Sequence, residues 1–160
     1  MISKEIKDIE IGTQFIYGGM KYTKFNENNL CINDEYDESF MHCIFDPISN
    51  DYKTSLVREY INSERFYKRL GVNIDDLEIV YYSDKIVILF GDHYAHFKHS
   101  IRNYSVWWML AGGVKGERDD GFHFVDGHGE ISKNNVSLNF GIRVVICLRE
   151  DIKVELVEDE

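Results

Sequence analysis

The stretch FGIRVVICL, residues 140–148, is a nearly unbroken apolar run with one arginine inside it. Its valine and isoleucine content predicts a closing β-strand, with an acidic tail following over residues 150–160. An isolated buried charge is too costly to leave unpaired. We therefore expect that Arg143 either faces water or gives its five N–H donors to a carboxylate and backbone carbonyls.

Upstream of this run, two further segments have strand character. GFHFVDGHGEIS, residues 121–132, alternates around the turn residues DGHG and predicts a hairpin. SVWWML, residues 105–110, predicts a strand that contains both tryptophans of the chain. Successive strand residues point to opposite faces, so Trp107 and Trp108 should differ in burial, with one in the core and the other either lining a groove or covered by the loops.

The first third of the chain also favours strands. TQFIYGGMKYTKF, residues 13–25, alternates around Gly18-Gly19, a pair that readily adopts a two-residue hairpin turn. NNLCIN, residues 28–33, predicts a short third strand. Residues 33–51 are polar, contain the single proline and predict a surface loop.

Helical periodicity is clearest across residues 50–71. Thr54 or Ser55 can cap this helix and Gly71 can end it. Its predicted apolar face consists of Leu56, Tyr60, Tyr67 and Leu70. After it, LEIVYYSDKIVILFG predicts two β-rich runs broken at Ser83-Asp84, and DHYAHFKHSI a short helix.

These elements predict one domain over residues 1–160, of the α+β class. We expect a mostly antiparallel, twisted sheet with one main helix and long loops. The charged first residues lack the apolar core of a signal peptide, and no apolar run reaches membrane-spanning length. The three cysteines cannot all pair within one chain, and Cys147 lies in an apolar run, so we expect reduced thiols and a cytoplasmic location.

The formal net charge of −10 is the main guide to partners. Acidic residues cluster in NDEYDES, NIDDLE, GERDDG and VELVEDE. Such a field repels phosphate backbones, which argues against direct nucleic-acid binding, and it attracts basic protein surfaces.

Histidines and carboxylates form two patterns that a metal could use. His93, His96 and His99 recur at a spacing of three residues, but a helix turns the third away from the face of the others. The other pattern surrounds the DGHG turn, where hairpin geometry needs no ion; it comprises Asp119, Asp120, His123, Asp126 and His128. We expect exposed histidines, no metal and no cofactor.

Catalytic motifs are missing from the sequence. Neither a GxSxG elbow nor a cysteine-protease signature occurs, and GGVKGERDDG matches neither phosphate-binding glycine pattern. A protein without enzymatic activity is therefore the expectation.

The order of these landmarks resembles a widespread bacterial and phage domain with C-type-lectin-like and formylglycine-generating-enzyme-like features. The resemblance covers about Ile9 to Leu148 and rests on IGTQFIYGGMKYTKF, TSLVREYINSERFYKRL, SDKIVILFGDHYAHF, WWMLAGG, FHFVDGHGEI and FGIRVVICL. Its helix motif corresponds here to Ser55, Arg58, Tyr60, Asn62 and Phe66.

Two departures separate the chain from that domain. Leu-Arg-Ser usually follows the tryptophan pair, where this chain has Met109, Leu110 and Ala111. The closing Gly-Val-Arg-Pro becomes Gly141-Ile142-Arg143-Val144. The copper-binding cysteine pair of formylglycine-generating enzymes and the calcium-binding tripeptides of sugar-binding C-type lectins are also missing.

The resemblance implies a lectin-like scaffold that displays loops from a rigid sheet. It favours structural roles for Arg58, Asn62, Gly141 and Arg143, the last as a clamp rather than a ligand contact. The leading hypothesis is a non-catalytic binding module of phage or prophage type, in the bacterial host cell or on the virion, that recognises a protein or glycan. Its predicted ligand-binding residues are Tyr104, Trp107, Trp108, Lys115, Glu117, Arg118, Asp119 and Asp120.

Two alternatives remain open. The first is an acidic inhibitor of a host nucleic-acid enzyme, of anti-CRISPR type, whose carboxylates mimic phosphates in a basic channel. The second is a hydrolase of an unrecognised kind that uses histidine and aspartate from the glycine-rich segment.

Overall fold

The computed structural model describes residues 2–102, 106–113 and 121–157. Its helices are α1 (Leu56–Ile61), α2 (Glu64–Leu70) and α3 (Gly91–Phe97), and single 3-10 turns lie at Ile6–Asp8, Tyr52–Thr54, Ile74–Asp76 and Lys98–Ser100. Its strands are β1 (Ser3–Glu5), β2 (Gln14–Tyr17), β3 (Met20–Lys24), β4 (Leu30–Asn33), β5 (His42–Ile44), β6 (Leu77–Glu78), β7 (Ile86–Val87), β8 (Trp108–Gly113), β9 (Gly121–Val125), β10 (Ile131–Asn135), β11 (Asn139–Gly141), β12 (Val145–Leu148) and β13 (Lys153–Leu156).

The strands form two sheets. The first has the order β1-β13-β2-β3-β4-β12-β6, with β7 also paired to β12. The second has the order β10-β9-β8-β11-β5. The pairings are antiparallel except for a short parallel contact between β11 and β8, where Gly141 lies opposite Trp108. The chain is thus a single compact α+β domain with a mostly antiparallel sheet, as predicted.

The hairpin predicted at Gly18-Gly19 is confirmed, since β2 and β3 pair with only these two residues between them. Both glycines have positive φ, 61° and 84°, which is the requirement of a type I′ turn. The hairpin tip packs against Gly71, which ends α2 in the left-handed conformation at φ 78°. A Cβ at either Gly18 or Gly71 would collide with the carbonyl oxygen of the other.

Replacing Gly71 with alanine is expected to lower the free energy of unfolding by more than about 1 kcal/mol, because the residue has positive φ and touches backbone. The matched control is Gly12→Ala. Gly12 also has positive φ, 91°, but a Cβ there would meet no described atom within 4 Å. Urea unfolding of both variants distinguishes the cost of positive φ, which the two share, from the cost of the collision with Gly18, which only Gly71→Ala has. Equal losses of unfolding free energy would contradict the close packing of the hairpin on α2.

The helical segment is interrupted, so the prediction of one main helix is wrong. Ser55 caps α1 by accepting from the Arg58 N–H at 3.2 Å. Asn62 ends α1, and Ser63 caps α2 by accepting from the Phe66 N–H at 3.3 Å. The N-cap preference of serine therefore starts a new helix in the middle of the periodic segment.

The break also changes which side chains are buried. Leu56, predicted on the apolar face, is exposed, and Tyr60 is half-buried. The buried positions are Val57, Ile61, Phe66 and Leu70. Leu70 alone of the predicted apolar face is fully buried, because the start of α2 resets the helical phase.

The run FGIRVVICL is two strands rather than one. β11 belongs to the second sheet and β12 to the first, and residues 142–144 cross between them. Ile142 and Val144 are buried in the same core cluster as the strands on either side. The crossing is therefore apolar throughout, apart from Arg143.

Two segments predicted to be irregular contain strands. Within the predicted loop 33–51, β5 pairs with β11, and Phe40, Met41 and Phe45 are buried. Within the acidic tail, β13 lies between β1 and β2. Both segments have enough apolar residues to pack, although polar and charged residues together outnumber the apolar ones. Conversely, the two β-rich runs of residues 77–91 yield only the two-residue strands β6 and β7.

Two core clusters lie on opposite faces of the second sheet. The larger includes Met109 and Phe122, and the smaller includes Trp108 and Leu110 together with Tyr94 of α3. Because successive side chains of β8 point to opposite faces of the sheet, this one strand contributes side chains to both clusters. Across the described part of the chain, no helix has the length and apolar character needed to span a membrane.

Candidate functional site

The two tryptophans differ in burial, as predicted from strand alternation. Trp108 is 1% exposed and lies edge-on to Tyr94, with ring centroids 5.4 Å apart. Trp107 is 51% exposed. Its indole stacks on Phe124 at 5.3 Å and on Phe140 at 6.3 Å between ring centroids. Trp107 therefore covers the edge of the larger core and presents the rest of its surface outward.

An open groove of about 760 Å³ lies over this indole, a volume within the usual range of small-molecule sites. Its apolar wall and floor comprise Val106, Trp107, Leu138, Phe140 and Gly141. Its polar rim comprises Tyr36, Glu38, Ser39, His42, Asn134 and Asn139. The segments 36–42, 106–107 and 134–141 therefore meet at one site.

Gly141 sets the shape of the groove at its base. Its N–H donates to the Trp107 carbonyl at 2.8 Å, which holds the chain before β8 against β11. A Cβ on Gly141 would lie 2.8 Å from that same carbonyl oxygen. The predicted structural role of Gly141 therefore follows from close backbone approach, which only glycine permits.

The rim carries amide, hydroxyl and imidazole groups. Ser39 donates from Oγ to Asp37 Oδ1 at 2.6 Å and accepts from Arg69. The hydrogen bonds from Ser39, side chain first and backbone second, lower the pKa of Asp37. Among the described residues that line the groove, Glu38 is the single carboxylate, and lysine and arginine are missing.

Arg143, two residues after Gly141, is buried, with 1% of its side chain exposed. Its Nε donates to the Asn33 carbonyl at 2.7 Å and Nη1 donates to the Arg102 carbonyl at 3.0 Å. Nη2 donates to Asp34 Oδ1 at 2.8 Å. The guanidinium carbon is also 5.0 Å from the Trp108 ring centroid. Of the two environments expected for Arg143, the structure shows the one in which a carboxylate and backbone carbonyls accept from the guanidinium.

Asp34 is the residue of this network that sequence reasoning missed. Its second oxygen accepts from Gln14 Nε2 at 2.9 Å and from the Thr23 hydroxyl. Because Asp34 belongs to the acidic segment NDEYDES, composition indicated a surface position, yet its side chain is 4% exposed. The network joins three strands of the first sheet to the crossing between the sheets.

Arg58 and Asn62 also take structural positions, as the resemblance implies. Arg58 pairs with Asp84 at 2.7 Å and donates to the carbonyls of Lys53 and Tyr82. Asn62 donates from Nδ2 to the carbonyls of Arg58 and Ile86 and accepts from the Tyr67 hydroxyl at 3.2 Å. These bonds tie α1 to the segment around β7.

The predicted ligand-binding set is represented in the described residues by its two tryptophans. Trp107 lines the groove, whereas Trp108 is buried and leaves no surface for a ligand. Six predicted residues lie outside the described residues: Tyr104, Lys115, Glu117, Arg118, Asp119 and Asp120. Most of the groove was missed because its residues come from segments without a shared local motif.

Asp119 and Asp120, considered as metal ligands, lie outside the described residues; of the others near the DGHG turn, His128 is exposed and His123 is half-buried. His93, His96 and His99 are exposed, as predicted, and His96 packs edge-on to Phe97. Asp126 accepts backbone N–H bonds from Glu130 and His128, which lower its pKa and close the DGHG turn. Within residues 2–102, 106–113 and 121–157, no three His, Cys, Asp or Glu residues are grouped as a metal site.

The cysteines are free thiols in environments that suppress the thiolate. Burial raises the pKa of Cys43 to about 12 and that of Cys147 to about 11, and it also raises the pKa of Cys31. Because the thiolate is the nucleophilic form, these positions are poorly suited to covalent catalysis.

Comparison with known proteins finds no matching family model, curated protein or solved structure. The groove over Trp107 is therefore interpreted from its own geometry.

Proposed function

We propose that this chain is a non-catalytic binding module that holds a protein or glycan ligand in the groove over Trp107. The observation that carries this proposal is the half-exposed indole of Trp107, stacked on Phe124 and Phe140 at an open groove. Tryptophan is enriched in binding hot spots, and its indole combines a large apolar surface with an N–H donor.

The floor of the groove is rigid, which supports a role in binding. The aromatic stack fixes one face of the indole, and Gly141 fixes the backbone beneath it. The Arg143 network holds the crossing between the sheets on the other side of β11. A site that is ordered before binding loses less entropy when the ligand arrives.

The chemistry of the groove supports binding more than catalysis. The rim residue Ser39 carries an aliphatic hydroxyl that is hydrogen-bonded to Asp37 and Arg69 rather than to an imidazole base. Activation of a serine requires an adjacent general base within hydrogen-bonding distance. A hydrolase using this serine would need a different arrangement.

The wider identity of the module is also part of the proposal. A lectin-like scaffold of phage or prophage type is part of this proposal and rests on the sequence resemblance over about Ile9 to Leu148. A cytoplasmic location in the bacterial host is supported by the three free thiols.

The test compares immobilised wild-type protein with Trp107→Ala, exposed in parallel to a glycan array and to host lysate. We expect retention of a defined glycan or protein on the wild type and a loss of about tenfold or more in the variant, since stacking and apolar contacts disappear. Ile48→Ala is the matched control, because Ile48 is 80% exposed and lies outside the groove. Equal retention on all three proteins would contradict the proposal.

A second candidate, an acidic inhibitor of a nucleic-acid enzyme, is favoured by one surface feature. Two adjoining depressions near β6 are lined by the carboxylates Glu27, Glu78, Glu150 and Asp151, with Arg149 as the one described cation. A basic enzyme recovered at low salt and lost at high salt, with no effect of Trp107→Ala, would select this function instead.

A further inference from the structure

We infer that the ligand of the Trp107 groove is an uncharged sugar, with one pyranose ring stacked on the indole. This inference rests on the proposed binding function and names its ligand class. It is carried by the geometry of the aromatic floor, the donors and acceptors of the rim, and the charge of the groove.

The floor suits a flat ligand with polarised C–H groups. Since Phe124 and Phe140 lie stacked against Trp107, with interplanar angles of 27° and 20°, the indole meets solvent over its remaining surface. A pyranose has C–H groups on its face and hydroxyls around its edge. The negative face of an aromatic ring attracts such positively polarised hydrogens.

The rim supplies the complementary partners for hydroxyl groups. Asn134 and Asn139 carry amides that can donate and accept, and Asn139 is exposed. Asn134 Oδ1 accepts from the Asn135 N–H at 2.8 Å, so its NH₂ group is the part of this amide that we expect to contact a ligand. Glu38 and His42, both exposed on the opposite rim, add a carboxylate acceptor and an imidazole. Mixed donors and acceptors around an aromatic floor match a ring whose every hydroxyl both donates and accepts.

The charge of the described lining disfavours anionic ligands at this site. The described lining residues include one carboxylate and no lysine or arginine, and the whole chain has a formal net charge of −10. Phosphates and acidic sugars are bound through bidentate arginines or lysines. The groove therefore favours a neutral sugar over a phosphorylated or uronic one.

The shape of the groove separates a sugar from a protein partner. Protein hot spots seat an aromatic anchor in a closed pocket that excludes water. This groove is open along its length, and the aromatic side chain belongs to its floor. A hydrated, ring-shaped ligand that keeps part of its surface in water is the better match.

Tryptophan fluorescence offers a direct test, because the chain has two tryptophans and only Trp107 is exposed. Maltotriose, cellotriose and chitotriose are titrated against the full chain, beside an oligogalacturonate of similar length. We expect at least one neutral trisaccharide to shift the emission saturably and the uronic one to bind at least about tenfold more weakly. Trp107→Ala should abolish the shift, and Trp107→Phe should retain part of the affinity by calorimetry.

Fold integrity is checked in each variant by its melting curve. Asn139→Ala changes the rim without touching the core, and it should weaken neutral-sugar binding several-fold while melting as the wild type does. Tighter binding of the uronic sugar, or no saturable response to any neutral sugar, overturns the sugar assignment. If a protein is then retained in a Trp107-dependent manner, the binding module stands with another ligand; if no retention depends on Trp107, the proposed function fails as well.

Discussion

Substitution of Arg143 with alanine should lower the free energy of unfolding by about 3–5 kcal/mol, because it removes the close ion pair of the buried Asp34 carboxylate at 2.8 Å and leaves, among the described cations, only the long contact with Arg102 at 3.9 Å. Two carbonyls would also lose their donors. Such a loss is a large fraction of the stability of a typical domain. Equilibrium unfolding in urea, followed by circular dichroism, measures it.

Arg143→Lys separates charge from geometry in the same experiment. Lysine preserves the charge but cannot direct three planar N–H groups at Asn33, Arg102 and Asp34 together, so a substantial part of the loss should remain. Arg149→Ala is the control, since that side chain is 51% exposed and its ion pair is long at 3.9 Å. A lysine variant as stable as the wild type would refute the clamp.

Truncation of Trp108 to alanine should cost about 3–5 kcal/mol, the range for a large aromatic side chain removed from a core. It would open a cavity between Tyr94 and the Arg143 guanidinium. Trp107→Ala should cost about 1–2 kcal/mol, because only the face that covers Phe124 and Phe140 loses contacts.

Thermal and urea unfolding of the two alanine variants, compared side by side, decide this prediction. The difference between these adjacent residues, one before β8 and one at its start, is the informative quantity, since both variants remove the same type of side chain. Equal, small losses would mean that the alternation of β8 between two cores is incorrect.

Local chemistry accounts for the parts of the fold that were predictable. The Gly18-Gly19 hairpin, the Ser55 cap and the Gly71 stop depend on backbone preferences within a few residues. The burial difference between the tryptophans depends only on strand alternation. The need for hydrogen-bond acceptors around Arg143 follows from the cost of burying an unpaired charge.

Other features depend on distant parts of the chain and were not predictable from local patterns. An apolar run that passes from one sheet to another has the same composition as one long strand, so β11 and β12 could not be separated. Asp34 is buried because Arg143, more than one hundred positions later, reaches it. The groove likewise joins residues near 38, 107 and 139, which no local spacing connects.

The position of β13 has a consequence for folding during synthesis. β1 pairs with β13, and β13 pairs with β2, so the two earliest strands are held together by residues 153–156. Until the ribosome has released those residues, β1 has no neighbour in its sheet and one edge of β2 is open. The first sheet therefore closes after translation of nearly all the described residues. A contact of such long sequence separation slows folding, and the open edge of β2 is the site where nascent chains would associate with one another.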